Sequence, residues 1–440
     1  MKHLLPFLLL FPLAAHAAEP DSLTVSSADS LYQQAKLKEE RGLAMEGITD
    51  AIGAAADQLF LDKEFLHHPT LARHRTGSAA DYAVAATPLA ATWIMKAAGV
   101  PSRSSTRRLL LSNALSMGMI SGFTSLVKYN VNQPRPDFSD NHTLPSGHTA
   151  LAFASASILH REYGYLSPWV SWAGYATASL TDMLCIKHNT HWPSDISMGK
   201  AIGLLSTNLS YFITDRILRG KDDISTVGWD TRNRLLREHV NDRPTGLAVV
   251  DAVEGGATTI SSEDCLPLTD DSQFSLKSSS AKSVGLDFSY FMTDNFALQA
   301  LFRHTDAFVK AYAEQPRTLT GGHLQTFHYD MAFLAQHPLW LPPFLSFILD
   351  LLPPTLMSAH VLGGARSLSA LTLDQVEPDG HTSPFCHLPA QTSFEIGGGI
   401  GFDFINGPHF TSGINFDYFH NFSSILADRY AISSTWKVVF

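Results

Sequence analysis

The last third of the chain alternates apolar residues with polar or very small ones, and this two-residue period restricts the fold more than any other feature. In 393–404 the even positions carry large apolar residues such as Phe394 and Ile396, with one glycine among them, while serine, glycine and acidic residues fill the odd positions. The same alternation recurs in 410–418 and 430–440. Successive side chains of a β-strand point to opposite faces. These runs therefore predict strands with one apolar face and one polar or small face.

Eight such strands can be placed, which is the smallest size of an outer-membrane barrel. A sheet that crosses a bilayer must close on itself and turn an apolar face outwards. We therefore predict an antiparallel barrel of about eight strands over 284–440, in the outer membrane; a soluble barrel or sandwich is the alternative. The predicted strands are 284–292, 296–302, 325–333, 357–361, 368–373, 394–404, 410–418 and 430–440, and a weak ninth run, 308–312, is not counted.

The first half of the chain follows a helical period instead. Its apolar stretches contain Ser, Thr, Asn and Pro, and several are shorter than the roughly 20 apolar residues that a spanning helix needs. They fit the buried helices of a soluble bundle and weak membrane spans equally well. Because 440 residues exceed the usual size of one core, we expect two domains. An all-α bundle over 27–219 is joined to the barrel by an acidic, polar connection over 220–283.

The N-terminus has the pattern of a secretory signal peptide. Lys2 precedes an apolar run over 4–14, and residues 15–17 form a small-x-small cleavage site. We predict removal of residues 1–17 and export. With the barrel this favours an outer-membrane protein whose helical domain lies in the periplasm; the inner membrane is the alternative.

Cysteine usage bears on the compartment of the protein, and its net charge bears on the class of partner. In an oxidising compartment Cys265 and Cys386 could pair, which would leave Cys185 over. The formal net charge of −10 argues against a nucleic-acid partner, because binding one requires a basic face that neutralises phosphates.

Three short segments of the helical half carry residues suited to phosphate chemistry. In the first, Lys128 and Arg135 follow an apolar helix, and an ammonium with a guanidinium fork can bind a phosphate dianion. Pro134 and Pro136 flank Arg135, and a residue before proline avoids the helical region. We expect an extended backbone that holds this arginine in place. A pair of basic residues at a solvated helix end is the alternative.

The second segment is Pro145-Ser146-Gly147-His148-Thr149. It leaves a polar loop and enters a helix, so the backbone N–H groups near Ser146 and Gly147 should be free to bind an anion. Ser146 could also act as a helix cap. His148 would lie beside a bound phosphate, where it could protonate a leaving oxygen.

The third segment places His191 four residues before Asp195. A carboxylate bonded to one ring nitrogen fixes the tautomer and makes the other nitrogen a better nucleophile. An ordinary surface contact between the two residues is the alternative.

Taken together and in this order, the three segments resemble the signature of the type-2 phosphatidic acid phosphatase superfamily, which includes class A acid phosphatases and vanadium haloperoxidases. The resemblance covers about residues 45–215. It implies a helical bundle without a metal or other cofactor, a phosphohistidine at His191, and protonation of the leaving group by His148. It also implies a phosphate held by Lys128, Arg135, Ser146 and Gly147.

One position departs from the family pattern. The third segment usually carries an arginine six residues before the nucleophilic histidine, and this chain has Cys185 there. Losing one donor to the developing charge typically costs about 10²- to 10³-fold in rate. Lys187 or His188 could supply the missing cation.

We therefore expect a metal-independent phosphatase that hydrolyses lipid phosphomonoesters or pyrophosphates at a membrane. A broad-specificity periplasmic acid phosphatase that also accepts small phosphate esters is one alternative. A binding module without activity, carried on an outer-membrane barrel, is another, and Cys185 is its main support.

Overall fold

The structure, a computed structural model, describes most of both halves of the chain. The predicted signal peptide, the segment 219–244 and Cys265 lie outside the described residues. The described residues are 47, 51, 71–72, 79–218, 245–256, 258–262, 264, 266–267, 274–313, 318–320, 322–340, 355–376, 381–407, 409–423 and 425–440.

Residues 79–218 fold into a bundle in which each helix runs antiparallel to the next. Nearly every residue of the third helix is buried, because it packs against the first, fourth and fifth. By length and composition, Thr106–Asn130 is the one described helix that could cross a membrane. The helices are α1 (Ala79–Ala97), α2 (Thr106–Asn130), α3 (Gly147–Tyr163), α4 (Pro168–Lys187) and α5 (Pro193–Leu218).

The C-terminal half is a closed antiparallel barrel of eight strands. Each strand pairs with its neighbours in the sequence, and the first strand closes the barrel by pairing with both the second and the last. The predicted fold class, a helical bundle followed by a barrel, is confirmed. The strands are β1 (Gly246–Gly255), β2 (Phe274–Phe291), β3 (Phe296–Ala313), β4 (His323–Pro338), β5 (Thr355–Leu368), β6 (Gln391–Gly407), β7 (Phe410–Asn421) and β8 (Arg429–Val439).

The barrel begins earlier than the sequence predicts. Strand β1 and the first part of β2 lie within 220–283, which was predicted as an exposed connection. Every residue of β1 except Leu247 is buried, on both faces of the sheet. A strand covered on both sides does not need the alternation of apolar and polar residues that reveals one-sided strands.

One predicted barrel strand is wrong, and β1 takes its place in the count of eight. Leu368 ends β5, and the residues after it belong to a hairpin, Leu371–Val376 with Thr382–Leu388, in a separate small sheet. Leu371 and Leu373 pack into an apolar cluster at one end of the barrel. The short alternation of apolar and polar residues around them therefore belongs to a hairpin that caps the barrel and not to the barrel wall.

The two ends of the barrel differ in the length of their connections. At the end where the chain enters β1 and leaves β8, two connections are short, 292–295 and 408–409, and the third, 339–354, is longer. At the other end, which we call the long-loop end, the connections are 256–273, 314–322, 369–390 and 422–428.

The helical bundle packs against the outer wall of the barrel. In β2, Leu286, Phe288 and Tyr290 are exposed on the outward face, whereas Asp287 lines the interior. Trp436 of β8 lies on an outward position, yet it is buried because Tyr175 of α4 stacks on it with ring centroids 4.7 Å apart. The helices therefore lie beside the barrel.

Candidate active site

All seven residues predicted for the site meet at one end of the helical bundle. Four segments converge there: the end of α2, the connection from α2 to α3, the start of α3, and the connection from α4 to α5. This is also the long-loop end of the barrel, because Trp192 packs edge-on against Phe308 of β3, with ring centroids 5.0 Å apart. The seven residues are Lys128, Arg135, Ser146, Gly147, His148, His191 and Asp195.

His191 lies in a buried polar arrangement with Asp195. Its Nδ1 is 3.6 Å from Asp195 Oδ2, and the side chains are 2% and 0% exposed. The Thr143 hydroxyl lies between the two: it donates to Asp195 Oδ2 at 2.6 Å and lies 3.2 Å from His191 Nδ1. Because that hydroxyl proton points to the carboxylate, Thr143 accepts from an Nδ1–H of His191. This assigns the proton to Nδ1 and leaves Nε2 as the nitrogen with a free lone pair.

The carboxylate of Asp195 is itself held in place. Gln133 Nε2 donates to Oδ1 at 2.9 Å, and the backbone N–H of Trp192 donates to Oδ2 at 2.8 Å. Burial lowers the pKa of His191 below its usual value of 6.5, although Asp195 opposes this shift. The imidazole is therefore neutral at neutral pH, the state that a nucleophile needs.

His148 faces His191 across the site. Their ring centroids are 6.0 Å apart, and the ring of Tyr82 in α1 packs on His148 at 3.7 Å. The two imidazoles are thus far enough apart for a group to lie between them. Tyr82 fixes the orientation of the His148 ring.

The N-terminus of α3 opens onto the same space. Ser146 caps the helix, since its Oγ accepts from the N–H of Thr149, and its own N–H donates to the carbonyl of Asp195. A side chain added at Gly147 would meet no atom within 4 Å, so the space beside the first turn is open. The N–H groups of a first helical turn have no partner within the helix and favour an anion.

The two cations border this space and are held by backbone carbonyls. Lys128 Nζ donates to the carbonyl of His142 at 2.8 Å. Arg135 Nη1 donates to the carbonyl of Thr190, the residue before His191, at 2.9 Å, and its Nε donates to Asp140 Oδ2 at 2.7 Å. These contacts fix both charges beside His191.

Cys185 lies behind the site, whereas the two suggested replacement cations point elsewhere. The Cys185 thiol is in hydrogen-bonding range of Ser146 and Thr190, within an apolar cluster that includes Trp192 and Phe308. His188 Nδ1 is 3.0 Å from Asp81 Oδ2, and Lys187 is exposed at the end of α4.

We expect Cys185→Arg to raise the rate of phosphate release, by up to about 10²-fold, because a guanidinium beside Ser146 would meet charge that grows in the transition state. The melting temperature should fall, since the larger side chain must displace Phe308. Initial rates and thermal unfolding would be measured together, with the uncharged Cys185→Met as the matched control. If Cys185→Arg leaves the rate unchanged while Lys187→Ala cripples it, Lys187 has taken over the role.

Sequence reasoning missed three residues of this site, namely Thr143, Gln133 and Tyr82. Gln133 lies inside the first segment but cannot titrate, and Thr143 is a common loop residue three positions before Ser146. Tyr82 is distant in sequence and reaches the site only because α1 packs on α3. A search of the sequence for charged and nucleophilic residues would therefore not find these three.

Among the described residues, one group has the spacing of metal ligands, and it lies in the barrel and not at this site. It consists of His328, Asp330 and Glu395. Arg429 Nη2 donates to Glu395 Oε1 at 2.9 Å. A guanidinium bound to the group disfavours a second cation there, so we interpret it as part of a buried ion-pair network.

Comparison with known proteins agrees with this site. A family model described as the PAP2 superfamily matches residues 109–219. This segment is a PAP2 superfamily domain. A lipid A 1-phosphatase of Porphyromonas gingivalis is 44% identical over 133 residues. That alignment covers 30% of this chain and 30% of the relative.

Solved structures similar to this chain cover its barrel half. Neisserial surface protein A is 13% identical, with a TM-score of 0.25, over 44% of this chain and 97% of its own. The outer membrane protein OprG of Pseudomonas aeruginosa is 10% identical, with a TM-score of 0.26, over 45% of this chain and 94% of its own.

Proposed function

We propose that this chain is a metal-independent phosphatase that hydrolyses a phosphomonoester or pyrophosphate carried by a lipid, through a phosphohistidine at His191. The observation that carries the proposal is the pair of imidazoles 6.0 Å apart, His148 and His191. One is oriented as a neutral nucleophile and the other is placed to transfer a proton. Two fixed cations and an open helix N-terminus surround the gap between them.

The reaction proceeds in two displacements at phosphorus. His191 Nε2 attacks, the bond from phosphorus to the ester oxygen breaks, and that oxygen takes a proton from His148. Water then attacks the phosphohistidine and gives a proton to His148. The nitrogen–phosphorus bond breaks, which releases inorganic phosphate and restores both histidines.

Lys128, Arg135 and the N–H groups near Ser146 and Gly147 hold the phosphate during both steps. Their charges and dipoles are fixed before the substrate arrives, so they stabilise developing negative charge without reorganising. Asp195 and Thr143 act as positioning residues, since they keep the proton on His191 Nδ1.

Two observations favour a lipid as the substrate. The similar relative is a phosphatase of lipid A. The outward face of the barrel also carries exposed large apolar residues on strand after strand, among them Phe288, Leu298, Met331 and Ile400. A closed barrel with such a belt fits the outer membrane, where the site would be close to lipid headgroups.

A binding module without activity is the second candidate, and Cys185 is the observation that favours it. The phosphatase would release phosphate from its substrate, whereas the binding module would bind the phosphate ester without hydrolysing it. A broad-specificity acid phosphatase would instead hydrolyse small soluble esters as fast as lipids.

The metal-independent reaction makes a direct prediction for the purified full-length protein in detergent. Phosphate release from lipid A and from phosphatidate should persist in excess EDTA, because the mechanism uses only side chains and water. Released phosphate would be measured with and without chelator. A complete loss of activity that added metal restores would contradict the mechanism.

Thr143→Val should reduce phosphate release roughly 10- to 100-fold, because it leaves His191 Nδ1–H and Asp195 without their shared partner, at a cost of about 1 to 3 kcal/mol. Thr143→Ser keeps the hydroxyl and should restore most of the rate. Steady-state rates of both variants would be compared with their melting temperatures. A loss in Thr143→Ser as large as that in Thr143→Val would contradict a role that rests on the hydroxyl alone, because serine keeps the hydroxyl and lacks only the methyl group.

A further inference from the structure

The charged side chains of the helical half lie at two levels. One level is the site, with Asp81, Lys128 and Asp195; the other is the opposite end of the bundle, where Arg108 pairs with Asp215. Between these levels, α2 has no charged residue from Leu109 to Val127, and 163–181 has none either. Within the described bundle, only Asp182 and Lys200 place a charge between these two levels.

Asp182 and Lys200 are matched by two charges of the barrel. Lys282 Nζ lies 3.4 Å from Asp182 Oδ2 and also bonds Asp251 Oδ1. Lys200 Nζ lies 2.8 Å from the same Asp251 oxygen. All four side chains are at most 4% exposed. Two acids and two bases, shared equally between the halves, therefore lie together at the interface.

Asp251 and Lys282 lie on the outward face of the barrel wall. Asp251 is in register with Val284 and Ser434, and Lys282 lies on the same face of β2 as the exposed Leu286. Charges at this position would be costly against lipid. They are tolerated because the bundle covers them, so the bundle occupies a position that lipid would otherwise take.

Helix α4 follows the wall over its whole length. Near its start Trp169 stacks on Phe440, and near its end Ile186 packs with Phe308, at the long-loop end of the barrel. A helix of 20 residues is about 30 Å long, close to the height of an apolar barrel belt of about 25 Å.

Large apolar side chains are also exposed on the surface of the bundle. Ile94, Leu110, Leu126 and Leu180 are each more than half exposed. This uncharged surface lies between the same two charged levels, beside the apolar belt of the barrel. Lipid acyl chains are the partner whose chemistry fits a surface that continues a barrel's lipid-facing belt.

The location of the site then depends on which barrel end faces outwards. Outer-membrane barrels have short turns on the periplasmic side and longer loops on the cell surface. The site lies at the long-loop end, where Asn189 accepts from His323 Nε2 at 3.0 Å.

We propose that the helical domain lies within the outer membrane beside the barrel, with its site at the headgroups of the outward-facing leaflet. The substrate is then a phosphorylated lipid of that leaflet, which reaches His191 laterally from the bilayer. This proposal differs from the expectation of a periplasmic catalytic domain, and the labelling described below distinguishes the two. The choice of substrate rests on the proposed phosphatase function, whereas the location does not.

Site-directed labelling tests the location without using activity. Ser139→Cys places a thiol on the exposed loop that borders the site, and Asp294→Cys places one on the short turn at the opposite end of the barrel. Both would be made in a Cys265→Ser background, whose remaining cysteines are buried. Intact cells would be treated with a membrane-impermeant maleimide, before and after permeabilisation of the outer membrane.

We expect Ser139→Cys to be labelled in intact cells and Asp294→Cys only after permeabilisation, while the background protein stays unlabelled. The reverse pattern, labelling of both in intact cells, or labelling of neither until permeabilisation would overturn the proposed location. If the location holds but the purified protein releases no phosphate from any lipid, the proposed function fails and the membrane placement stands.

Discussion

His191→Ala is expected to lower phosphate release by about 10⁴-fold or more, the scale seen when an enzyme loses its nucleophile. Neither Asp195 nor His148 is expected to replace it as the nucleophile, because Asp195 is bound by three donors and His148 is held under Tyr82. Initial rates with a lipid phosphomonoester would be compared with those of His387→Ala, which changes a histidine on the barrel's hairpin.

The variant must be shown to fold, since His191 is buried. Substrate binding and the melting temperature should stay close to those of the unchanged protein, because Lys128 and Arg135 do not depend on the imidazole. A residual rate of a tenth or more in a folded His191→Ala protein would mean that water attacks the substrate directly.

His148→Ala should reduce the rate by an amount that depends on the leaving group. A lipid alcohol is a poor leaving group, so its release needs the proton, and we expect a loss of about 10²- to 10⁴-fold. A nitrophenolate leaves without protonation, so the loss with an aryl phosphate should be much smaller. The ratio of the two losses, measured on one preparation, isolates proton transfer from any general damage to the site.

Tyr82→Phe is the matched control for this experiment. It keeps the ring that packs on His148 and should leave both rates almost unchanged. Equal losses with the two substrates in His148→Ala would contradict its role as the acid and leave it a part in binding phosphate.

The sequence predicts the site residues because each motif is local and rich in titratable groups. Lys128, Arg135, His148 and His191 could be chosen before any fold was known, and the structure places them around one space. Thr143 could not be chosen, because its role depends on lying between two side chains from a different segment. Positioning residues of this kind are defined by three-dimensional geometry and not by spacing.

The barrel strands are also predictable from a local pattern, but only where that pattern is present. Strands with one face to lipid and one to the interior alternate visibly, whereas β1 has both faces covered and does not. The missed strand is thus a consequence of the packing of the helices on the barrel wall. Lys282 and Asp251 gave no signal in the sequence, because they stand out only once their outward orientation is known.

Trapping the phosphoenzyme tests the covalent intermediate at His191 directly. The purified protein would be mixed with a lipid whose phosphomonoester is radioactive, stopped with alkaline detergent within the first turnover, and separated from the substrate. We predict radioactivity on the protein that survives alkali and is lost in acid, as for phosphohistidine, and that is absent from His191→Ala. Rapid turnover without any labelled protein, or equal labelling of His191→Ala, would contradict a covalent intermediate at His191.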